Sequence, residues 1–326
     1  PLFRSLGAAR RLFDQGLRPL ALNEQEAVAS MGDDTPLAVL SQRPRLLYDY
    51  FKQLFAQVTN PPIDPLREQI VMSLETCFGR EQNLFVEDPQ HAARLVVNSP
   101  VLSESKFNQL VAQTDPRYRH ARIDLNYDGA QGLHAALLAI CEQATAAVRN
   151  GKTILVLSDR KIAADKLPIH ALLATGAVHH RLIEEGLRCD ANIVVETGTA
   201  RNPHEFAVLI GYGATAIFPY LAYRCVCGIY AGQAASDNPV SEVMQAYRRG
   251  INKGLYKILS KMGISTIASY RSAMLFEIVG TELRLKAGAS LDFETNPSLD
   301  VTVQVDDTGV GGTPDDTAAL SVTLTD

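Results

Sequence analysis

The stretch GLHAALLAICEQATAAVRNGKTILVLSD, residues 132–159, decides the architecture. Apolar residues recur at helical spacing from Leu133 to Val148, Gly151 supplies a helix stop, and Ile154 to Leu157 is an unbroken apolar run of strand length. A strand without alternation is buried on both faces, as in parallel sheets covered by crossover helices. The pattern repeats downstream: PIHALLATGAVHHRLIEEGL (168–187) reads as helix, ANIVVETG (191–198) as strand, NPHEFAVLIGYG (202–213) as helix and ATAIFPY (214–220) as strand. Helices alternating with short apolar runs predict a parallel sheet of right-handed crossovers, either open or part of a barrel. A further helix is expected over VSEVMQAYRRGINKGLYKILSKMGI (240–264) and a strand over STIASY (265–270).

Upstream, RPRLLYDYFKQLFAQVTN (43–60) places Leu46, Leu47, Tyr50, Phe51, Leu54 and Phe55 on one helical stripe. A second helix is expected to restart after the prolines of NPPIDPLREQIVMSLETCFG (60–79), because proline cannot lie inside one. The polar segment from Arg80 to Arg122 reads as loops around short elements. Beyond Glu282 the period becomes two, in ELRLKAG, LDVTVQV and AALSVTLTD, which predicts a β module.

The chain has 326 residues, 46% of them hydrophobic, enough for one large domain or two ordinary ones. Its formal charge of −5 is unevenly spread: residues 281–326 carry nine acids against Arg284 and Lys286, which leaves a slight positive excess on the first 280 residues. No basic field of the kind that binds nucleic acid is present. Five cysteines fall without paired zinc spacing, and reduced thiols are the expectation. No apolar run is long enough to span a membrane and no signal-type core opens the chain. With reduced thiols a cytoplasmic location is expected, while the composition of the tail would suit an extracellular protein. Beginning at Pro1 and stopping in mid-strand at Asp326, the sequence reads as a piece of something longer.

The residues from Ser30 to Glu68, SMGDDTPLAVLSQRPRLLYDYFKQLFAQVTNPPIDPLRE, resemble the large chain of bacterial glutamate synthase. The resemblance continues through Gly151–Arg160, Ala177–Arg188, Val194–Ala222 and Ile251–Gly280, in order and over roughly Leu20 to Gly280. It implies an α/β fold: a central domain (1–240) resembling a rudimentary (β/α) barrel with parallel strands, then the truncated start of an FMN-binding (β/α) barrel (241–280). By the same resemblance the parent chain hydrolyses glutamine at an N-terminal cysteine, passes ammonia through a tunnel, and reductively aminates 2-oxoglutarate at an FMN fed by an iron-sulfur cluster. Glutaminase and FMN domains would be the natural partners, with a small reductase subunit or ferredoxin as electron source. Neither cofactor is expected to be fully bound by this piece, which should be inactive alone.

Ser30, Met31, Gly32, Asp34 and Thr35 form the candidate substrate- or cofactor-proximal loop. A glycine-containing turn before a helix exposes N–H groups suited to a carboxylate or phosphate, and the resemblance implies that this loop approaches the flavin region. The bland reading is a capped helix entrance with Pro36 at an early position. Gly151-Lys152-Thr153 precedes a strand instead of following one, so it reads as helix termination and not as a phosphate loop. His179, His180, Glu184 and Glu185 could face one another on a helix, but a metal would need additional ligands such as His204 or Asp159, so a structural role is expected. Lys253, Lys257 and Lys261 read as a solvated face opposite Leu255, Ile258, Leu259 and Met262, the sharper alternative being a cationic edge toward a flavin phosphate or a carboxylate substrate.

The tail, LRLKAGASLDFETNPSLDVTVQVDDTG, resembles a bacterial cadherin-like repeat, truncated and all-β. That pattern implies Glu294 and Asp307 as Ca2+ ligands, with Asp292 possible, since hard cations take several oxygen ligands. Acidic turns are also often merely solvated. An alternative function follows, a calcium-binding adhesion or surface protein. Both resemblances tolerate the run Phe276–Gly280, where the joint is expected, as the mark of a spliced or misassembled reading frame.

Overall fold

The computed structural model describes residues 16–26, 45–53, 63–64, 67–83, 85–231, 240–273, 276–278, 298–305 and 316–323. The chain divides into two compact units, Pro1–Gly280 and Thr281–Asp326. In chain order the first contains α1 (Arg18–Asn23), β1 (Phe51–Gln53), α2 (Glu68–Val71), β2 (Thr76–Phe78), β3 (Leu95–Val97), α3 (Glu104–Val111), β4 (His120–Asp124) and β5 (Asn126–Asp128). It continues with α4 (Leu133–Arg149), β6 (Ile154–Ser158), β7 (Lys166–Pro168), α5 (Ala171–Glu184), β8 (Asn192–Glu196), α6 (Pro203–Gly211), β9 (Ala216–Phe218), α7 (Tyr220–Ala231), α8 (Val240–Met262), α9 (Ile267–Tyr270) and β10 (Phe276–Ile278).

Strands β4, β6, β8 and β9 form a four-stranded parallel sheet in that order. Because the spatial order follows the chain order, the winding never reverses. Right-handed crossovers then put α4, α5 and α6 on one side, the arrangement of part of a barrel wall and not of a doubly wound sheet. Every residue of β6, β8 and β9 is buried. The open edge of β9 is partly covered: Val101 bridges Ile217 in parallel, with Leu102 N–H donating to Ile217 O at 2.9 Å.

The helix ends are set locally. Gly151, at φ 80°, terminates α4, and the N–H of Lys152 returns to Ala147 O at 3.0 Å. His170 caps α5 by accepting from Leu172 N at 3.2 Å. Asn202 and Glu205 cap α6 reciprocally, with Pro203 at its first turn. Alternation sorts the sheet residues by face: Ile123, Leu155, Leu157, Ile193, Val195 and Ile217 share the apolar one, while Arg122, Ser158, Glu196 and Phe218 share the other. Helix α3 covers that second face, stacking Phe107 on Phe218 at 4.5 Å, with Arg122 5.7 Å over the Phe107 ring.

Helix α8 packs on α1 and α6 through two glycines one turn apart. A Cβ at Gly250 would press on Leu20, and one at Gly254 would overlap the Pro203 ring. Leu255, Leu259 and Met262 of the expected stripe are buried and Ile258 is half-buried against the core, while Lys253, Lys257 and Lys261 are exposed.

Three local expectations are corrected. Within the helical stripe expected over 43–60, the described residues 45–53 form one 3-10 turn, Leu47–Tyr50, followed by β1, which pairs antiparallel with β10; Leu54 and Phe55 lie outside the described residues. Backbone pairing with a distant segment overrides the local period. Of the helix expected over 60–79, the described residues show only the short α2, and Thr76–Phe78 pairs instead with Leu95–Val97. STIASY is not a strand: Thr266 bridges Ser73 and then accepts from Ser269 N at 3.3 Å, capping α9. The region read as loops also contains α3 and β4, the outer strand of the parallel sheet.

The second unit, described by itself, has β11 (Ser298–Val305) and β12 (Asp316–Thr323) paired antiparallel, with Ser298 opposite Thr323. This matches the period-two reading of LDVTVQV and AALSVTLTD; ELRLKAG lies outside the described residues.

Candidate functional site at the C-terminal edge of the sheet

Ligands in α/β folds gather where parallel strands end, because the loops leaving the strands there are free to carry polar groups. In this chain β6 ends in Ser158-Asp159-Arg160 and β8 in Glu196-Thr197-Gly198-Thr199, and the sheet register places Ser158 beside Glu196. Glu196 is fully buried. It accepts from Ser158 Oγ at 2.7 Å and pairs with Arg160 at 2.9 Å and Arg122 at 2.8 Å. Asp159, 1% exposed, accepts from Thr197 Oγ1 at 2.5 Å and from Gly198 N at 3.1 Å.

The hydroxyls fix the direction of a longer chain. Thr197 spends its only proton on Asp159, so its 2.9 Å contact with Thr199 requires Thr199 to donate. Thr199 then accepts from Tyr48 at 3.0 Å. The order of donation is Tyr48 to Thr199 to Thr197 to Asp159. Burial pushes Asp159 up to about 6, against the lowering effect of these donors, and burial also raises Tyr48.

Two neighbours complete the edge. His170 stands edge-on to Tyr48 at 4.7 Å between ring centres, and burial, seconded by Arg201, lowers its pKa to about 4. Arg201 and Glu205 form a buried pair at 3.3 Å, and Tyr247 donates to Arg201 O at 2.9 Å. Burial raises Glu205 despite the opposing charge of Arg201. A carboxyl near 6 has the acidity of a general base at neutral pH. Here both its oxygens are engaged and it is closed to solvent, so the cluster holds strands and loops together and offers no reacting atom to a substrate.

The residues singled out in sequence fall elsewhere. Ser30, Met31, Gly32, Asp34 and Thr35, and the calcium candidates Asp292, Glu294 and Asp307, all lie outside the described residues. His179 accepts from Arg188 Nε at 2.8 Å with His180 edge-on at 5.4 Å, while Glu185 pairs with Arg149 at 2.6 Å. Among the described residues no group of three or more His, Cys, Asp or Glu could hold a metal. Arg122, Ser158, Glu196 and Tyr48 were not legible as a cluster. The available signal was a carboxylate directly after each apolar strand, in ILVLSD and NIVVE, where a buried strand passes into a polar turn.

The glutamate synthase central domain family matches residues 3–282. Glutamate synthase [NADH] of Schizosaccharomyces pombe is 42% identical over 272 residues, covering 82% of this chain and 13% of its own. The chloroplastic ferredoxin-dependent glutamate synthase of Oryza sativa subsp. japonica is 44% identical over 278 residues, 81% of this chain and 17% of its own. The large chain of glutamate synthase [NADPH] of Bacillus subtilis is 43% identical over 264 residues, again 81% and 17%. The chain thus spans under a fifth of the length of these relatives. Among solved structures, a flavocytochrome b2 variant with benzoylformate superposes with a TM-score of 0.38 at 13% identity, over 60% of this chain and 43% of that one. In the described residues no helix is long and apolar enough to cross a membrane.

Proposed function

Since the chain belongs to the glutamate synthase central domain family, we propose that it serves as the connecting and tunnel-lining scaffold of a glutamate synthase large chain. In that reading the parent converts glutamine and 2-oxoglutarate to glutamate, with ammonia passing between a glutaminase domain and an FMN synthase domain. Residues 1–240 form the connector and 241–280 lead into the synthase barrel. The observation that carries the reading is the continuous family match over 3–282. Near-equal identity to relatives named for NADH, ferredoxin and NADPH supports a role that does not depend on the electron donor.

The geometry of the polar edge supports a scaffold over a catalyst. FMN carries a phosphate, which needs N–H groups or cations in an open cradle. The described edge is packed instead: Asp159 and Glu196 are buried, and their oxygens are taken up by Thr197, Gly198, Ser158, Arg122 and Arg160, which leaves no open cradle. These residues do not fit a flavin. The FMN and the iron-sulfur cluster belong, on this reading, to other parts of the parent chain, and a small reductase subunit or ferredoxin would deliver electrons there. The loop Ser30–Thr35 would face the flavin and substrate region of the neighbouring domain.

Grafting tests this. Residues 3–280 replace the matching segment of the Bacillus subtilis large chain, and glutamine hydrolysis is measured against 2-oxoglutarate amination. A connector keeps the two rates coupled near one to one. A graft that folds and hydrolyses glutamine but releases the ammonia without aminating 2-oxoglutarate refutes the reading.

A further inference from the structure

We propose that a cavity of about 490 Å3 at the opposite, N-terminal edge of the parallel sheet, walled by Arg188, Arg271, His179, His180 and Glu81, binds a small oxyanion, a phosphate or a carboxylate. The crossovers bring three pieces to this edge: the end of α5, the Arg188–Asp190 turn that leads into β8, and the end of α6 with Tyr212. Arg271 arrives from the end of α9.

Arg188 is held rigidly. Its Nε donates to His179 Nδ1 at 2.8 Å, one Nη to Ala191 O at 2.7 Å and the other to Gly213 O at 2.9 Å. These bonds satisfy carbonyls that would otherwise make the edge unfavourable to an anion, and they fix the plane of the guanidinium. They also define His179 as neutral, with its proton on Nε2. A guanidinium has five N–H groups, so two remain for a ligand.

Arg271 supplies the second observation. Its Nε–H is buried and has no hydrogen-bond partner among the described residues. A buried charged donor without an acceptor is costly, and native structures rarely leave one so unless an ordered water or an ion completes it. Burial lowers both arginines, and the charge of Arg271 lowers Arg188 further, to about 10. Glu81 acts on both in the opposite sense, but one carboxylate against two guanidiniums leaves the cavity positive. The fork geometry of arginine suits bidentate oxyanions, and the volume accommodates a small organic acid or phosphate.

The test follows arginine Nε–H resonances of the 15N-labelled 326-residue chain during titration with inorganic phosphate and, separately, succinate, at constant ionic strength. The signal that disappears in Arg271→Lys is expected to shift saturably with one or both probes. The variant should bind about tenfold more weakly, since a bidentate contact is lost. Arg117→Ala, at an exposed arginine paired with Asp115, should bind within about twofold of the parent. Saturation by one probe alone identifies the oxyanion class. Should Arg271→Lys not fold, a thermal midpoint of the unaltered protein raised by a probe, beyond the effect of chloride at equal ionic strength, stands in its place. No saturable shift and no rise in midpoint with either probe, or equal losses in Arg271→Lys and Arg117→Ala, overturns the proposal.

Discussion

Ser158 donates its hydroxyl proton to Glu196 at 2.7 Å, between residues that the parallel register places side by side on β6 and β8. That single bond ties the ends of two central strands together, and the same carboxylate gathers Arg122 from the outer strand and Arg160 from the following loop. A fully buried charge held by two guanidiniums and a hydroxyl is a fixed structural element.

Glu196→Ala should cost about 3 kcal/mol, because it strands two arginines and a buried hydroxyl. Arg122 and Arg160 are each about a third exposed, so removing either alone should cost less, roughly 1 kcal/mol, water taking its place. Urea midpoints at constant slope measure the difference, and equal losses for all three variants would contradict the central place of Glu196.

Asp159 is held up to about 6, above the ordinary carboxylate value, so the folded chain binds its proton more tightly than the unfolded one. The stabilisation this gives is fully present below the unfolded value and is lost as pH rises through 6. Asp159→Asn removes that gain on acidification. Its stability should fall more steeply than the parent's between pH 7 and 5, by about 1 kcal/mol. Parallel stability curves for the two proteins would rule out the shift.

His170 acts in the opposite sense. Its folded pKa of about 4 lies below the ordinary value, so the unfolded chain takes up the proton first and stability drops as pH falls from 6.5 toward 4. His170→Asn keeps an acceptor for the Leu172 N–H at the start of α5 without a titrating ring. The variant should lose about 2 kcal/mol less than the parent between pH 7 and 5. Thermal midpoints across that range provide the check.

Gly254→Ala should destabilise by roughly 2 kcal/mol, since the new methyl must displace Pro203 and with it the α6–α8 contact. Gly228, in α7, has nothing within 4 Å of an added Cβ, and Gly228→Ala should be neutral or stabilising by about 0.5 kcal/mol. Calorimetric midpoints that rank the two variants the other way would show that the α8 crossing is not set by its glycine.

Sequence alone determined the alternation of helix and buried strand from Leu133 to Phe218, the long helix Val240–Met262, the period-two tail and the family resemblance. Each rests on local periodicity, on caps such as Asn202 and stops such as Gly151, or on ordered blocks of similar residues, and all of these are written within a few turns of chain. Tertiary structure alone decided that Phe51–Gln53 is a strand, because its partner Phe276–Ile278 lies more than two hundred residues away. It alone joined Tyr48 to Asp159 through two threonines, and Arg188 to Arg271 across a cavity. The physical reason is range: dihedral preference and hydrophobic period act between neighbours, whereas hydrogen-bond satisfaction and charge pairing in a buried site act between whichever residues the folded chain brings within 3 Å.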